Sequence, residues 1–493
     1  MPEFKVNVKW GKEKFEGIEV DTSEPPEVFK AQLFALSGVP PERQKIMAKG
    51  MALKDDTWGS FKIKNGLTLL MMGSATELPK APEKKTVFIE DMSEAERATA
   101  SNLPAGLNNL GNTCYMNATV QCLKNVPELK NALQEYKGHL SLGNIMSNPS
   151  EAVTIALRDL FKTMEKTAEG FPPIIFLQVM HSVFPQFAEK NEHGTFQQQD
   201  ANECWLQIVR MLQQQVKLNS DAPQSSIAES SAQTSLIEKY FGIHMKAALK
   251  CTEAPEEEPT ESKETQLQLS CFISQDVKFL KTGLSLRLNE KLTKNSPTLG
   301  RDAEYTRTSK ISRLPSYLTV QFVRFYYKEK EKVNAKILKD VKFPLMLDVF
   351  DLCTPELQTK LGPMRDRFKE EEDRLAVTMK ANKEAKARGE EMEVDEKDKK
   401  SKTMPFSFED DVGSNNSGYY ELTAVLTHRG RSSSSGHYVG WVRKKGDEWI
   451  MCDDDNMSPV SSQDILKLSG GGDWHIAYVL LYGPRKLTIT EES

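Results

Sequence analysis

Apolar and polar residues alternate along Phe4-Lys-Val-Asn-Val8 and again along Phe15-Glu-Gly-Ile-Glu-Val20, with Gly11-Lys12 between them. A period of two broken by a glycine-bearing turn predicts a β-hairpin. Asp21-Thr22-Ser23 then offers N-cap chemistry. Apolar residues at Val28, Ala31, Leu33 and Leu36 follow at helical spacing, stopped by Gly38 and Pro40-Pro41. Short strands are expected at Gln44-Lys-Ile-Met-Ala48 and Leu67-Thr-Leu-Leu-Met71, which gives residues 1–75 a ββαββ order. From 76 to 100 the composition turns to Pro, Lys, Glu and Ser, with only Val87-Phe-Ile89 apolar, and reads as a linker.

The rest of the chain, 101–485, mixes helical and strand patterns, so the whole is of the α+β class. After Gly106-Leu-Asn-Asn-Leu-Gly-Asn-Thr113 the apolar residues Met116, Val120 and Leu123 recur at helical spacing, which places Cys114 at a helix N-terminus. Strands are expected at Tyr438–Val442, Glu448–Cys452 and in the closing run from Gly470 to Tyr482. Residues 359–402 are dominated by Glu, Lys, Arg and Asp. The first half is expected to be helical and the second half, with Glu390-Glu-Met-Glu-Val-Asp-Glu396, carries too little apolar surface to offset its ordering entropy; the whole of 359–402 reads as a mobile insertion in the 101–485 domain.

Charge and cysteine usage narrow the function classes. A net charge of -5 over 493 residues, with no basic stripe interleaved with aromatics, argues against nucleic acid as a partner. The start lacks a signal-peptide pattern and no apolar run reaches the ~20 residues of a membrane span, so a cytoplasmic location, with nuclear entry open, and no transmembrane segment are expected. Seven scattered cysteines, none at metal-ligand spacing, suggest reduced thiols, no metal and no cofactor.

The helix N-terminus at Cys114 favours a thiolate and supplies N–H donors to an oxyanion, although a lone cysteine is more often a packed hydrophobe, as Cys122 is expected to be. A base must come from elsewhere, and His437 in Ser435-Gly-His-Tyr-Val439 stands where a strand begins. An acidic residue after the next strand can reach that imidazole; Asp453 and Asp454 both qualify by spacing.

Gly-Leu-x-Asn-Leu-Gly-Asn-Thr-Cys114-Tyr-Met-Asn resembles the cysteine box of the ubiquitin-specific proteases, and Gly436-His-Tyr438 resembles their histidine box. The resemblance implies a papain-like fold of thumb, palm and fingers, Cys114 as nucleophile, His437 as general base and Asp453 as third triad member. It also implies Asn109 as oxyanion donor, with Asn108 and Asn112 of comparable reach. Gln197-Gln-Gln-Asp200 resembles the segment that lines the channel for ubiquitin's tail, so Gln198, Asp200, His428, Ser434, Tyr438 and Trp474 are the expected substrate-binding residues. For Asp200, helix capping is an equally simple reading. Leu314–Phe325 and Lys339–Asp348 resemble the family's central strands, which the resemblance therefore places there. The loop from Thr427 to His437 is expected to cover that channel, hinged at its glycines. Residues 1–75 resemble ubiquitin without its free Gly-Gly end. That pairing implies a docking domain for the 26S proteasome's regulatory particle and a deubiquitinase acting there on ubiquitin chains. The alternative is a catalytically silent ubiquitin-binding regulator of the proteasome. Many members hold zinc in the fingers through paired Cys-x-x-Cys motifs; here only Cys251 and Cys271 lie in that region, so the fingers are expected to hold together without metal.

Overall fold

The computed structural model describes residues 3–54, 57–59, 61–73, 103–218, 234–328, 333–387, 401–432 and 435–490. The chain divides into two compact units, Met1–Asp91 and Met92–Ser493.

In the first unit the alternating runs form strands β1 (Glu3–Trp10) and β2 (Glu13–Asp21), turned at Gly11, whose φ of 58° suits glycine. With β3 (Lys45–Ala48), β4 (Met51–Ala52) and β5 (Thr68–Met72) they make a sheet of order β2-β1-β5-β3-β4, in which β1 and β5 run parallel. The Pro26–Ser37 helix covers one face and ends on Gly38, whose N–H bonds to the Phe34 carbonyl. Two details differ from expectation. Asp21 closes a turn onto Ser23 instead of capping the helix, which starts at Pro26. The buried side carries Phe29 and Leu33, packed on Val6, Val8, Ile46, Leu69 and Met71, while Val28 and Leu36 are 45% and 52% exposed.

Among the described residues the second unit joins a helical lobe to two larger sheets and two two-stranded ones. The helices Cys114–Lys124, Pro149–Lys166, Ile174–Val183 and Ala201–Gln215 pack their apolar faces into one core. Strands β6 (Ile243–Cys251), β7 (Thr260–Gln266), β9 (Asn289–Ser296) and β10 (Arg301–Arg313) form an antiparallel sheet of order β7-β6-β10-β9. At its tip Cys251, Ala254, Ala303 and Tyr305 make a small apolar cluster, and the Glu257 carboxylate accepts from Tyr305 (2.6 Å) and Ser296 (2.7 Å). Cys271, in β8 (Leu269–Phe272), packs in a different cluster from Cys251.

The larger sheet runs β19-β18-β17-β16-β20-β11-β8. Its further members are β11 (Leu318–Val323), β16 (Tyr419–Ser432), β17 (Ser435–Lys445), β18 (Glu448–Asp453), β19 (Asn456–Ser461) and β20 (Ile476–Pro484). Only Leu318–Val323 of the first expected central run belongs to it; β12 (Phe325–Lys328) pairs instead with β13 (Val333–Lys336). Of the run 339–348, just β14 (Met346–Asp348) is extended, on β16. β15 (Ser401–Thr403) pairs with β21 (Thr488–Thr490).

The charged stretch forms a helix over Pro355–Ala387, and 388–400 lies outside the described residues. The helix is anchored by Leu357, Leu361 and Phe368, and by Arg365, which pairs with Asp348 (2.8 Å) and stacks on Tyr419 and Phe350. Arginine planes supply packing that an apolar count misses. Among the described residues no helix is long and apolar enough to cross a membrane.

Candidate active site

The Gly106–Thr113 loop is held by a ladder of backbone bonds. Leu107 donates to the Asp454 carbonyl (2.9 Å) and Asn108 to the Phe171 carbonyl (3.0 Å). Gly106 has no room for a Cβ, which would lie 2.5 Å from the Asp455 carbonyl oxygen. The Asn109 side-chain oxygen accepts from the Gly111 and Thr113 N–H groups, and Asn112 takes a left-handed φ of 55°. This tight turn feeds directly into the helix, of which Cys114 is the first residue and 2% exposed. Its first-turn N–H groups are those a helix leaves without intrahelical partners, so they create a positive field at the sulfur.

Behind Cys114 the helix lies against β17. A Cβ on Gly440 would stand 3.1 Å from the Ala118 carbonyl oxygen and 3.5 Å from Cys122 Sγ. Cys122 is a core residue whose thiol burial pushes up to about 12. This close approach brings the start of β17, with His437, to Cys114. His437 Nε2 and Asp453 Oδ1 are 2.5 Å apart, and the Cys114 thiol lies near enough to the ring to act on its charge. The bond to Asp453, and then the nearby Cys114 thiol, raise the imidazole to about 10, while the bond to Asp453 lowers that carboxyl. A charge-assisted bond of this length favours an imidazolium over a neutral ring.

Of the two aspartates it is Asp453 whose carboxylate bonds the ring. Asp454 sits at a left-handed φ of 52°, and its carboxylate, though close to His437, is taken by amide donors. Its oxygens accept from Asn117 (2.8 Å) and Asn109 (2.9 Å), tying the β18 turn to the cysteine helix and its preceding loop. Burial nonetheless raises the Asp454 carboxyl. His437, Asp453 and Asp454 offer ligand atoms within 4.8 Å of one another, spacing a cation would accept, but all three are committed to these hydrogen bonds.

The other expected residues divide. Gln198 and Tyr438 are buried near the site, and neither Gln198 Nε2 nor Tyr438 Oη has a hydrogen-bond partner. Asp200 caps the Ala201–Gln215 helix, accepting from Asn202 (2.7 Å) and Glu203 (3.1 Å), and its second oxygen accepts from Tyr478 (2.7 Å). Trp474 is half exposed. Ser434 lies outside the described residues. His428 differs most from a channel residue. It is fully buried, with Nδ1 3.0 Å from Lys336 Nζ, Nε2 3.2 Å from the Ser435 carbonyl, and Tyr438 packed on its ring. Burial, then Lys336, lower it to about 3; burial and Arg324 lower Lys336 to about 7. The expected loop is largely strand: β16 reaches Ser432 and β17 begins at Ser435. Gly436 is required because a Cβ would meet the Arg429 carbonyl oxygen at 2.1 Å.

Sequence reasoning missed Lys336 and the role of Asn117. Asn117 stood three residues after Cys114, where a polar group on the helix's buried side was the available signal. Lys336 gave none, since its partners are 92 residues away.

The sequence profile of the family Ubiquitin carboxyl-terminal hydrolase matches residues 105–482, and that of the Ubiquitin family matches 5–76. The chain is 43% identical to Ubiquitin carboxyl-terminal hydrolase 7 of Arabidopsis thaliana, covering 98% of this chain and 99% of that protein. It is 43% identical to Ubiquitin carboxyl-terminal hydrolase 14 of Caenorhabditis elegans (97% and 93%), and 39% to Ubiquitin carboxyl-terminal hydrolase 6 of Schizosaccharomyces pombe (97% and 98%).

Proposed function

The chain belongs to the ubiquitin carboxyl-terminal hydrolase family and is a cysteine-dependent deubiquitinase, and on that premise we propose that Cys114, His437, Asp453 and Asn109 carry its reaction. The contact of His437 with both Cys114 and Asp453 is the observation that carries the assignment. His437 takes the thiol proton, and the sulfur attacks the carbonyl of ubiquitin's terminal glycine. The imidazolium gives its proton to the departing lysine amine, and water hydrolyses the thioester. Asn109 and the Cys114 N–H stabilise the oxyanion. The unpartnered Gln198 Nε2 is a donor for the tail's peptide groups, since buried polar atoms are normally paired, whereas Tyr438 is as fully buried as His428 and packs on its ring. Incubating the full chain with lysine-linked diubiquitin tests this: intact monoubiquitin is expected, and persistence of the dimer contradicts it.

Asp454 is proposed to hold Asn109 and the cysteine helix in register with His437. Asp454→Asn turns an acceptor into a donor facing two amide donors, and kcat is expected to fall about 10- to 100-fold with little change in KM. Steady-state kinetics on a ubiquitin C-terminal fluorogenic amide measure this.

The amino-terminal unit is proposed to dock on the 26S proteasome's regulatory particle, so that chains are trimmed as substrates arrive. Its sheet supports this with an outward face bearing Leu70 and Met72, both over 40% exposed, beside Met47 and flanked by Lys9 and Lys45. Such a patch with a basic rim suits a partly acidic partner surface. Leu70→Arg is expected to weaken pull-down of proteasome about tenfold or more while leaving amide hydrolysis by the free enzyme unchanged. Seven unpaired thiols suit a reducing compartment such as the cytosol.

A further inference from the structure

Along β17 the residues His437, Val439 and Trp441 share one face, and in β18 Met451, paired with Trp441, shares it with Asp453. One more ring reaches this face from outside both strands. His475 immediately precedes β20, on the far side of β16. Its ring stands 6.0 Å from that of His437 and 6.4 Å from that of Trp441, both T-shaped, at 71° and 70°.

The strand between them fixes its orientation. Thr427 of β16 is fully buried and pairs with Val439 on one side and Ala477 on the other. Its hydroxyl donates to the Val439 carbonyl (3.2 Å) and accepts from Trp441 Nε1 (2.9 Å). With its single proton committed, the hydroxyl accepts from His475 Nδ1, 3.2 Å away. His475 therefore carries a proton on Nδ1, and that bond fixes the orientation of its ring.

We propose that His475 is a positioning residue for His437: a neutral ring, oriented by Thr427, that braces the His437 imidazolium on the side not taken by Asp453 and Cys114. This rests on the catalytic reading of His437 given above. A neutral polarisable ring is a favourable neighbour for a cation, whereas a second imidazolium would repel it. The surroundings keep His475 neutral: burial first, then Arg429 of β16, His437 itself and Lys336 of β13 lower it to about 4, against Asp453, which favours its charge. Asp453, Cys114, Asp454 and the buried His428 are other ionisable groups around His437. Nothing beside His437 in the sequence announces this neighbour, 38 residues downstream.

The test is steady-state hydrolysis of a ubiquitin C-terminal fluorogenic amide by the full chain, from neutral to alkaline pH, for wild type, His475→Leu, His475→Phe and His437→Ala, with thermal melts of each. His475→Leu is expected to lose about tenfold in kcat at unchanged KM. The alkaline limb of its kcat is expected to move down by about half to one pH unit. His475→Phe keeps an aromatic ring and is expected to stay within about threefold of wild type with its limb in place. An unchanged kcat and limb in His475→Leu, or a fall in melting temperature alone, overturns the proposal. Equal loss and equal limb shift in both His475 variants also overturns it. If His437→Ala keeps wild-type activity, it is the catalytic reading that fails, whatever the His475 variants show.

Discussion

Cys114→Ala is expected to abolish turnover, lowering kcat on a ubiquitin C-terminal amide by about 10⁵-fold or more, because without the sulfur no thioester forms. The six other cysteines offer no substitute: all are buried, and burial pushes Cys122, Cys204, Cys271, Cys353 and Cys452 upward, away from the reactive thiolate. Cys114 alone stands on a helix N-terminus in contact with an imidazole. The substitution removes one atom from a packed site, so the fold should persist at a cost of roughly 1 kcal/mol. Unchanged ubiquitin affinity, measured by calorimetry, beside absent turnover separates lost chemistry from lost structure.

Asp453→Asn is expected to lower kcat by roughly 10²- to 10⁴-fold and to change the shape of the pH profile. The bond to Asp453 is the largest cause holding His437 at about 10, so its loss lets the imidazole fall back toward the ordinary 6.5. In the wild type the imidazolium persists across the neutral range and the alkaline limb lies near 10; in the variant that limb moves toward neutrality. The stability consequence has a definite sign. A folded pKa raised above 6.5 contributes stability that is fully present below 6.5 and lost as pH rises toward 10. The variant should lack most of that decline, which melting temperatures across this window would reveal.

The local parts of this site were legible in the sequence. Gly and Asn before Cys114, then apolar residues at helical spacing, could only put the thiol at a helix start, and Gly436-His437 before an alternating run could only put the imidazole where a strand begins. The choice between Asp453 and Asp454 was not legible, because it depends on which of two adjacent identical carboxylates meets the imidazole and which meets Asn109 and Asn117, residues more than 300 positions away. The helix face in the amino-terminal unit was misread because Val28 and Leu36 obey the period but lie off the side that meets the sheet. The packed reach of the Pro355–Ala387 helix was missed because Arg365 and Arg485 stack on Tyr419, Phe350 and Phe368, and a charged residue counts as solvent-facing in any hydropathy pattern. His428, Lys336 and His475 owe their environments to strands brought together across β16, which no local spacing encodes.

The most direct test of Cys114 as the nucleophile is covalent capture by a ubiquitin with a thiol-reactive C-terminus, applied to wild type and Cys114→Ala, each with and without purified 26S proteasome, and read by intact mass and peptide mapping. One ubiquitin attached at Cys114 in the wild type, and none in the variant under either condition, is the predicted result. An adduct that survives in Cys114→Ala, or no adduct in the wild type even with proteasome present, would contradict it.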